Sequence, residues 1–380
     1  MSITSIQLQL WIGRAVPQPA PQSLMTALQS IDITQSETTG FQMSFQIERS
    51  PYMSPDFALM TGDLLQPGSR VVICVTLSAT PRVVMDGIIT QHQFSYDQSG
   101  AMMLTVTGED VSLLMDIYDL SLEYPGMGDD AIALAILLKY AGFGITPLVI
   151  PPLSGAISLP AERIPQQNTT DKQYLASLAA EHGYVFFIQP GLAPMLNTAY
   201  WGPASRIGVP QKALTVDAGP ETNVQSINFS YNALSSGGPV QVYGYVSDET
   251  SESILPVLTL TSTRVPPLSG KPPLVFNQPF VRKQLLDYQG SSYIDALARA
   301  QAITDQSTDS VVTASGTLDV LRYGAILMAP GIVGVRGVGF SYDGNYYVTS
   351  VTHHIRVGQY TQDFSLAREG LGSLTPGVIP

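Results

Sequence analysis

Cysteine is almost absent from this chain of 380 residues. The single cysteine, Cys74, lies between Ile73 and Val75 in an apolar stretch. One thiol cannot form an internal disulfide or a thiolate cluster for a metal, and a free cysteine in such surroundings is usually a small buried hydrophobic residue. We therefore expect a protein made and folded in a reducing cytoplasm.

Positive charge is also scarce. The chain has 18 Lys and Arg against 30 Asp and Glu, which gives a formal net charge of −12. Tight binding of nucleic acid needs clustered basic side chains that neutralise phosphates. This composition therefore excludes tight nucleic-acid binding and favours protein partners.

Long hydrophobic runs are missing too. The longest apolar run, residues 131–138, is far below the roughly 20 residues that span a bilayer, and the N-terminus lacks a secretory signal pattern. A hydrophobic content of 44% nevertheless excludes disorder, and 33 Gly with 28 Pro indicate many turns and short strands. The sequence predicts a soluble, β-rich protein of two to four domains, without membrane insertion.

Enzyme motifs are not found. The chain has no nucleophile elbow, no phosphate-binding loop and no His-Glu-x-x-His helix. Gly337 and Gly339 lack the third glycine and the helix of a dinucleotide fingerprint, so a bulge or close strand packing explains them better. We predict no catalytic, cofactor-binding or metal-binding residues and no cofactor.

The polar residues that could suggest chemistry have simpler interpretations. His353 and His354 are adjacent, so on a regular strand they point to opposite faces and cannot chelate one ion. Asp129-Asp130 could be a carboxylate pair for glycoside hydrolysis, but the pair also suits a helix start. Glu109-Asp110 suits a cap or turn, and Trp201 could be a sugar platform but is more often a buried aromatic.

Two segments alternate apolar and polar residues with the period of a half-buried strand. In the first, Ile6, Leu8, Leu10 and Ile12 alternate with Gln7, Gln9 and Trp11, and further strands are predicted at 41–47, 70–77, 83–94 and 102–107. Pro67-Gly68 and Asp86-Gly87 are read as turns. Residues 1–115 are therefore predicted to form one small antiparallel barrel or sandwich.

Helical signals follow. Asp129-Asp130 can cap a helix that Gly142 ends, and a second helix is predicted from about Thr170 to His182, before Gly183. Residues 116–215 are predicted to form an α/β domain, and 251–305 an insertion with a helix that starts at Ser292.

The strand pattern returns in residues 216–250 and 306–372. Within it, Asp343-Gly344 is predicted to form a tight hairpin turn. Residues 351–354 (Val-Thr-His-His) echo residues 89–92 (Ile-Thr-Gln-His), each before a turn and a further strand. This echo is weak support for a duplicated unit.

Several motifs together resemble the late control protein D family, the baseplate hub of contractile phage tails and the hub portion of type VI secretion spike proteins. They are spread over nearly the whole chain and comprise residues 84–90, 104–110, 170–184, 200–203 and 344–364.

The resemblance implies an α+β, β-rich fold with two tail-tube-like antiparallel β-barrels. On this basis residues 1–115 form the first barrel, 116–215 an inserted α/β domain, 216–250 with 306–372 the second barrel, 251–305 a smaller insertion and 373–380 a C-terminal tail. A homotrimer of such chains would present six barrels to a hexameric tube and threefold contacts to a spike.

The resemblance also implies a structural, non-enzymatic baseplate hub that lines a channel. The expected partners are the inner tail tube or a tube initiator protein, the central spike, and other baseplate components, with the tape-measure protein as one candidate. The expected location is a virion tail baseplate or contractile injection particle assembled in the bacterial cytoplasm.

Three further expectations accompany this interpretation. Acidic side chains facing the channel would keep it from adhering to DNA. No spike segment follows Gly372, so the spike is expected to be a separate protein. The alternative function is a cell-wall glycosidase or carbohydrate-binding component of the same particle, and a tail-tube subunit is disfavoured because it needs only one barrel.

Overall fold

The structure is a computed structural model that describes residues 6–14, 16–47, 59, 62–96, 102–152, 164–234, 237–248, 253–277, 279–288 and 292–374. Most strands belong to one large sheet of 13 strands, and the others form three small sheets. No helix in these ranges is long and apolar enough to cross a membrane. Most of the predicted tail, from residue 375 onward, lies outside the described residues.

The first part of the chain contains seven strands of the large sheet and one short helix. They are β1 (Ile6–Gly13), β2 (Gln18–Pro19), α1 (Gln22–Ala27), β3 (Leu28–Gln35), β4 (Gly40–Gln46), β5 (Arg70–Leu77), β6 (Thr80–Tyr96) and β7 (Met102–Asp110). Their order in the sheet is β3-β4-β7-β6-β5-β1-β2, and all pairs are antiparallel. The predicted alternation is confirmed in β4, where Phe41, Met43 and Phe45 are buried between more exposed polar residues.

One predicted turn in this region is wrong. Asp86-Gly87 lies inside β6, where both neighbouring strands pair with it. Asp86 is buried, and Arg70 on β5 compensates its charge with a two-pronged ion pair to the carboxylate, at 2.7 and 2.9 Å. A Cβ at Gly87 would lie 2.2 Å from the Glu109 carbonyl oxygen, so the glycine permits close strand approach instead of a turn.

The next segment forms a small α/β unit. It contains a 3₁₀ helix (Val111–Met115), β8 (Leu122–Glu123), α2 (Asp129–Leu138), a second 3₁₀ helix (Ala141–Phe143), β9 (Ile145–Val149), β10 (Gln166–Gln167), α3 (Asp171–Glu181), β11 (Val185–Pro190) and β12 (Asn197–Gly202). Strand β12 pairs parallel to β9 and antiparallel to β11. Helices α2 and α3 and this sheet share a core around Trp201.

The rest of the chain contains a second group of large-sheet strands and an insertion. The elements are β13 (Gln211–Thr215), a 3₁₀ helix (Gly219–Glu221), β14 (Ser226–Tyr231), β15 (Val240–Asp248), β16 (Ser253–Leu258), α4 (Pro273–Phe276), β17 (Arg282–Leu285), α5 (Tyr293–Thr308), β18 (Val312–Asp319), α6 (Val320–Tyr323), β19 (Gly331–Arg336), β20 (Gly344–Arg356) and β21 (Gln359–Arg368). Strands β14, β18, β21 and β20 lie side by side, and β19 links β20 to β13. Helix α5 packs on the small sheet of β16, β15 and β17.

The predicted α+β, β-rich class with large antiparallel sheets is confirmed. The described residues contain no ladder that closes either strand group on itself, so the two barrels remain a prediction. The domain boundaries also remain a prediction. Near two of these boundaries, β13 pairs within the large sheet and β15 pairs within a small one.

The predicted tight turn at Asp343-Gly344 is wrong, although the hairpin exists. Strands β19 and β20 pair antiparallel, but residues 337–343 form a longer loop between them. Asp343 accepts a hydrogen bond from the Val338 backbone at 2.9 Å, and buried Arg368 donates to the Asp343 and Ser341 carbonyl oxygens. These bonds fix the loop, so the turn chemistry of Asp-Gly does not decide its length.

Candidate assembly surface

Two groups of four strands repeat the same arrangement. Unit 1 is β3-β4-β7-β6 and unit 2 is β14-β18-β21-β20. In unit 1 a β-bulge at Thr90 separates two paired stretches of β6 and β7, and in unit 2 a bulge at Thr349 does the same for β20 and β21. Thr90 donates to the Thr107 carbonyl oxygen and Thr349 to the Ser365 carbonyl oxygen, at 3.2 and 3.0 Å.

These matching bulges define which residues are equivalent. Thr90 corresponds to Thr349, so residues 89–92 correspond to 348–351 and not to 351–354. The repeat suggested by the sequence is therefore present, but the predicted alignment is wrong by three residues. The alignment predicted from the sequence matched identical Thr and His residues. The structural alignment instead follows the strand pairing on either side of the bulges.

The two units are joined inside the chain by an antiparallel seam between β3 and β20. Residues 30–35 pair with 351–356, and His353 is opposite Ile33 while Ile355 is opposite Ile31. These side chains are buried on the core side of the sheet. We call this pairing the internal seam.

The other face of the internal seam carries charged residues. His354 Nδ1 lies 2.5 Å from Asp32 Oδ1, and its Nε2 lies 3.2 Å from Asp363 Oδ2. Arg356 is 3.7 Å from Asp32, and Asp363 also accepts from Thr317 at 2.6 Å. These five side chains connect β3, β20, β21 and β18 across the seam.

Each unit also has an edge that no other described strand pairs. In unit 2 this edge is β14, which pairs only with β18 among the described residues. In unit 1 it is the end of β6, residues 91–96, which pairs on one side with β7 and has no described strand on the other. Phe94 and Tyr96 on this edge are 46% and 64% exposed. We call β14 and residues 91–96 the free edges; the name means only that no further described strand pairs with them, and it says nothing of the other contacts of these residues.

The exposed face of the eight strands is polar and mostly neutral. Away from the core the strands present mainly hydroxyl and amide side chains, among them Ser30, Thr34, Gln42, Ser44, Gln91, Gln93, Ser95, Thr105, Thr107, Ser226, Asn228, Ser230, Thr313, Ser315, Thr317, Ser350, Thr352, Thr361 and Ser365. The acidic exceptions include Asp32 and Asp363, which contact His354, and Glu109. We call this surface the polar face.

The structure separates the two adjacent histidines, as their strand positions predict. His353 is completely buried, with Nδ1 2.6 Å from the Tyr360 hydroxyl and 3.2 Å from Gln362 Nε2. Burial, with a smaller effect of the nearby His354, lowers the pKa of His353 to about 3. His353 is therefore a neutral core residue at neutral pH, while His354 lies on the polar face.

The other residues with competing interpretations are structural. Trp201 is fully buried and donates to the Leu175 carbonyl oxygen at 3.1 Å. Asp110 caps the 3₁₀ helix after β7 by accepting from Ser112, as predicted. Asp129 and Asp130 lie in the first turn of α2, but the cap residue itself is Gly128, so the capping prediction is wrong by position.

Asp129 has another partner. Its carboxylate lies 2.8 Å from His182 Nε2, which connects the start of α2 to the end of α3. Cys74 is buried in β5, and this burial raises the pKa of its thiol. Neither residue belongs to a group of possible metal ligands among the described residues.

Sequence reasoning missed an ionic cluster that connects the α/β unit, the insertion and the residue that follows β21. Arg206 contacts Glu369 and Asp309, each at 2.8 Å, and Arg264 contacts Asp309 at 2.8 Å. Arg264 also donates to the Gly183 carbonyl oxygen. These five residues come from distant segments, and only their three-dimensional arrangement identifies the cluster.

Solved structures share this fold. A 43 kDa tail protein of prophage MuSo2 from Shewanella oneidensis matches with a TM-score of 0.63 and 14% identity, over 96% of this chain and 99% of that one. A tail protein from Neisseria meningitidis MC58 matches with a TM-score of 0.60 and 15% identity, over 97% and 98%. An E. coli type VI secretion component, described as similar to tail proteins gp27 and gp5 of bacteriophage T4, matches with a TM-score of 0.51 and 14% identity, over 93% and 77%.

No protein-family model matches the chain, and no curated protein matches it. At these identities the structural likeness shows the fold alone. The chain thus has the fold of phage tail proteins and of a type VI secretion component, and the resemblance predicted from the sequence is confirmed for the fold.

Proposed function

We propose that this chain is a structural baseplate hub of a contractile phage tail or phage-like injection particle. In this proposal it is a homotrimeric adaptor that joins a hexameric inner tail tube to a trimeric central spike. The observation that carries the proposal is the internal seam, because strand edges equivalent to the two that meet there occur again at the ends of the eight-stranded array, where no further described strand lies beside them.

The internal seam gives the register of contact between copies. β14 corresponds to β3, and residues 91–96 correspond to 350–355. Repeating the seam between copies places Phe94 of one chain opposite Phe229 of the next, and Tyr96 opposite Ile227. Exposed apolar residues would then be buried on the core side, as Ile33 and His353 are inside the chain.

Such a contact joins an edge of one copy to a different edge of the next, so it closes into a ring when the rotation allows it. Three chains supply six units, which is the number that a hexameric tube requires. The number three comes from the resemblance to hub proteins, and the ring arrangement comes from the two free edges. Pairing between copies would also protect edges that otherwise invite aggregation.

In this ring the polar face lines the channel. We therefore propose a mostly neutral lining in place of the acidic one expected from the composition, because hydroxyl and amide groups outnumber the carboxylates on this face and Asp32 and Asp363 contact His354. Neutral hydrated groups offer a passing polymer few ionic or apolar contacts. This lining supports a conduit and a non-enzymatic role.

We propose the partners of the hub on the same basis. They are the inner tail tube or a tube initiator protein at one end, and the central spike at the other. Further baseplate components, with the tape-measure protein as one candidate, complete the set. The particle is a virion tail baseplate or contractile injection particle assembled in the bacterial cytoplasm.

Cysteine cross-linking tests the ring. We expect Phe94→Cys with Phe229→Cys, in a Cys74→Ala background, to form cross-linked chains that end at a closed trimer on a denaturing gel. The control Gln93→Cys with Phe229→Cys places the two thiols on opposite faces and should remain largely monomeric. A monomer in both cases, or equal cross-linking in both, contradicts the proposal.

A further inference from the structure

Exposed apolar residues lie in the two chain segments that meet at the end of β14. Tyr231, the last residue of β14, accepts a hydrogen bond from Asn277 Nδ2 at 3.2 Å, which holds the segment after α4 against the strand. Phe276 and Phe280 on this segment are 61% and 76% exposed, and Leu234 is also exposed. We call Tyr231, Leu234, Phe276 and Phe280 the Tyr231 patch.

The internal seam shows what lies at the equivalent position inside the chain. Tyr231 of β14 corresponds to Gln35 of β3. The Gln35 side chain accepts from the Ala329 backbone at 3.2 Å and lies 3.8 Å from Met328 Sδ. The end of β3 therefore packs on the residues that precede β19.

The equivalence of the two units also identifies which residues next to unit 1 correspond to Met328 and Ala329. Arg70 on β5 pairs with Ile88, and Ile332 on β19 pairs with the equivalent residue Tyr347. Residues 328 and 329 therefore correspond to Gln66 and Pro67, in the turn before β5. His92 contacts the Leu65 carbonyl oxygen, so this turn lies directly beside the free edge of β6.

The chemistry of the two surfaces is complementary. The turn of residues 62–68 exposes Leu64 and Pro67, while Leu65 is buried beneath them. Aromatic rings and aliphatic or proline side chains pack well at interfaces, and an exposed aromatic patch on a soluble protein marks a contact site. Inside the chain, Gln35 makes a polar contact with the Ala329 backbone. At the equivalent position the Tyr231 patch offers more apolar surface than the Gln35 side chain does.

We propose that the Tyr231 patch binds the 62–68 turn of the next copy of this chain. This inference rests on the proposed ring, and it adds a second contact between copies outside the strand pairing. The strand pairing sets the register, and the patch increases the apolar area buried at each junction.

Paired substitutions test this contact. We expect Phe276→Ser with Phe280→Ser to raise the concentration at which the trimer dissociates by at least tenfold, measured by mass photometry over a dilution series. Leu64→Ser should weaken the trimer in the same way, and combining it with the double variant should add little. The matched control is Tyr245→Ser with Ile254→Ser, which are 76% and 72% exposed on the small sheet and should leave dissociation unchanged.

The outcomes distinguish this contact from the ring itself. Circular dichroism and urea unfolding of the monomers verify that the exposed substitutions leave the fold intact. If the 94–229 cross-link closes a trimer but the patch variants dissociate like the control, the patch contact is overturned and the ring stands. If no cross-linked ring forms in any variant, both proposals are overturned.

Discussion

Unit 1 and unit 2 share their ladder and their bulge but differ at the residues where units meet. At the internal seam the core side has Ile33 opposite His353, and the polar side has Asp32 next to His354. At the free edges the equivalent residues are Phe229 and Phe94 on the core side, and Asn228 and Ser95 on the polar side. A permanent junction inside a chain thus combines buried aliphatic packing with ion pairs, whereas the free edges carry aromatic and neutral residues.

This difference has a physical reason. An ion pair that forms within one folded chain loses little entropy on pairing, because folding has already placed both side chains. Aromatic side chains provide a large contact area with few rotatable bonds, which favours association between separate molecules. The comparison therefore predicts that matched substitutions in the two units will have unequal effects.

The largest expected difference concerns two equivalent isoleucines. Ile31 is completely buried at the internal seam, and Ile227 is partly exposed on β14. We expect Ile31→Ala to lower the free energy of unfolding of the monomer by about 2–5 kcal/mol, because it leaves a cavity in the core. Ile227→Ala should cost the monomer about 1 kcal/mol or less, since that site can be filled by water.

Urea unfolding of the isolated monomers measures both values. Equal losses for Ile31→Ala and Ile227→Ala would show that the internal seam is no better packed than the free edge. The comparison between the two units would then fail at its main point.

The second expected effect is on acid stability. The pKa of His353 is lowered to about 3 in the folded chain, against about 6.5 when unfolded, so the unfolded state binds more protons between these values. Stability is therefore full above pH 6.5 and falls as the pH decreases toward 3. From pH 7 to 4.5 the contribution of His353 amounts to a loss of about 2–3 kcal/mol, at about 1.4 kcal/mol per unit.

The variant His353→Phe introduces into unit 2 the residue type that unit 1 has at the equivalent position, Phe94. We expect the difference in unfolding free energy between pH 7 and pH 4.5 to shrink by that amount, whatever the variant costs at pH 7. Urea unfolding at both pH values measures this difference. An unchanged difference would show that His353 does not cause the acid sensitivity.

The smallest expected effect is on the charged side of the seam. Asp32→Asn reproduces the neutral residue of unit 2, Asn228. Because Asp32 and His354 are both partly exposed, the loss should be below about 1 kcal/mol and should decrease with added salt. A double-mutant cycle with His354→Ser, which mimics Ser95, isolates the pair, and a coupling that is large and insensitive to salt would contradict this view.

Much of the fold could be predicted from local patterns. The alternation of Phe41, Met43 and Phe45 identified β4, and Thr170 with Gly183 marked the two ends of α3, where Thr170 is the observed cap. Both signals depend on a few adjacent residues. The large sheet and the general organisation followed from them and from the resemblance.

Contacts between distant segments could not be predicted. Asp86-Gly87 has the composition of a turn, but Arg70 pairs with Asp86 and stabilises a continuous strand. The internal seam joins residues more than 300 positions apart, and no local pattern shows which edges meet. The free edges and the Tyr231 patch depend on that pairing, so sequence reasoning alone missed the assembly surface.

The bulges at Thr90 and Thr349 shift the alternation of core-facing and solvent-facing side chains within a strand. In β20 the buried positions are Tyr346 and Val348 before the bulge and Val351, His353 and Ile355 after it, so the alternation shifts by one residue. If β6 or β20 instead ran as a regular strand through Thr90 or Thr349, every later side chain of that strand would turn to the opposite face. A single inserted residue in each unit thus determines which amino acids face the core and which face the solvent.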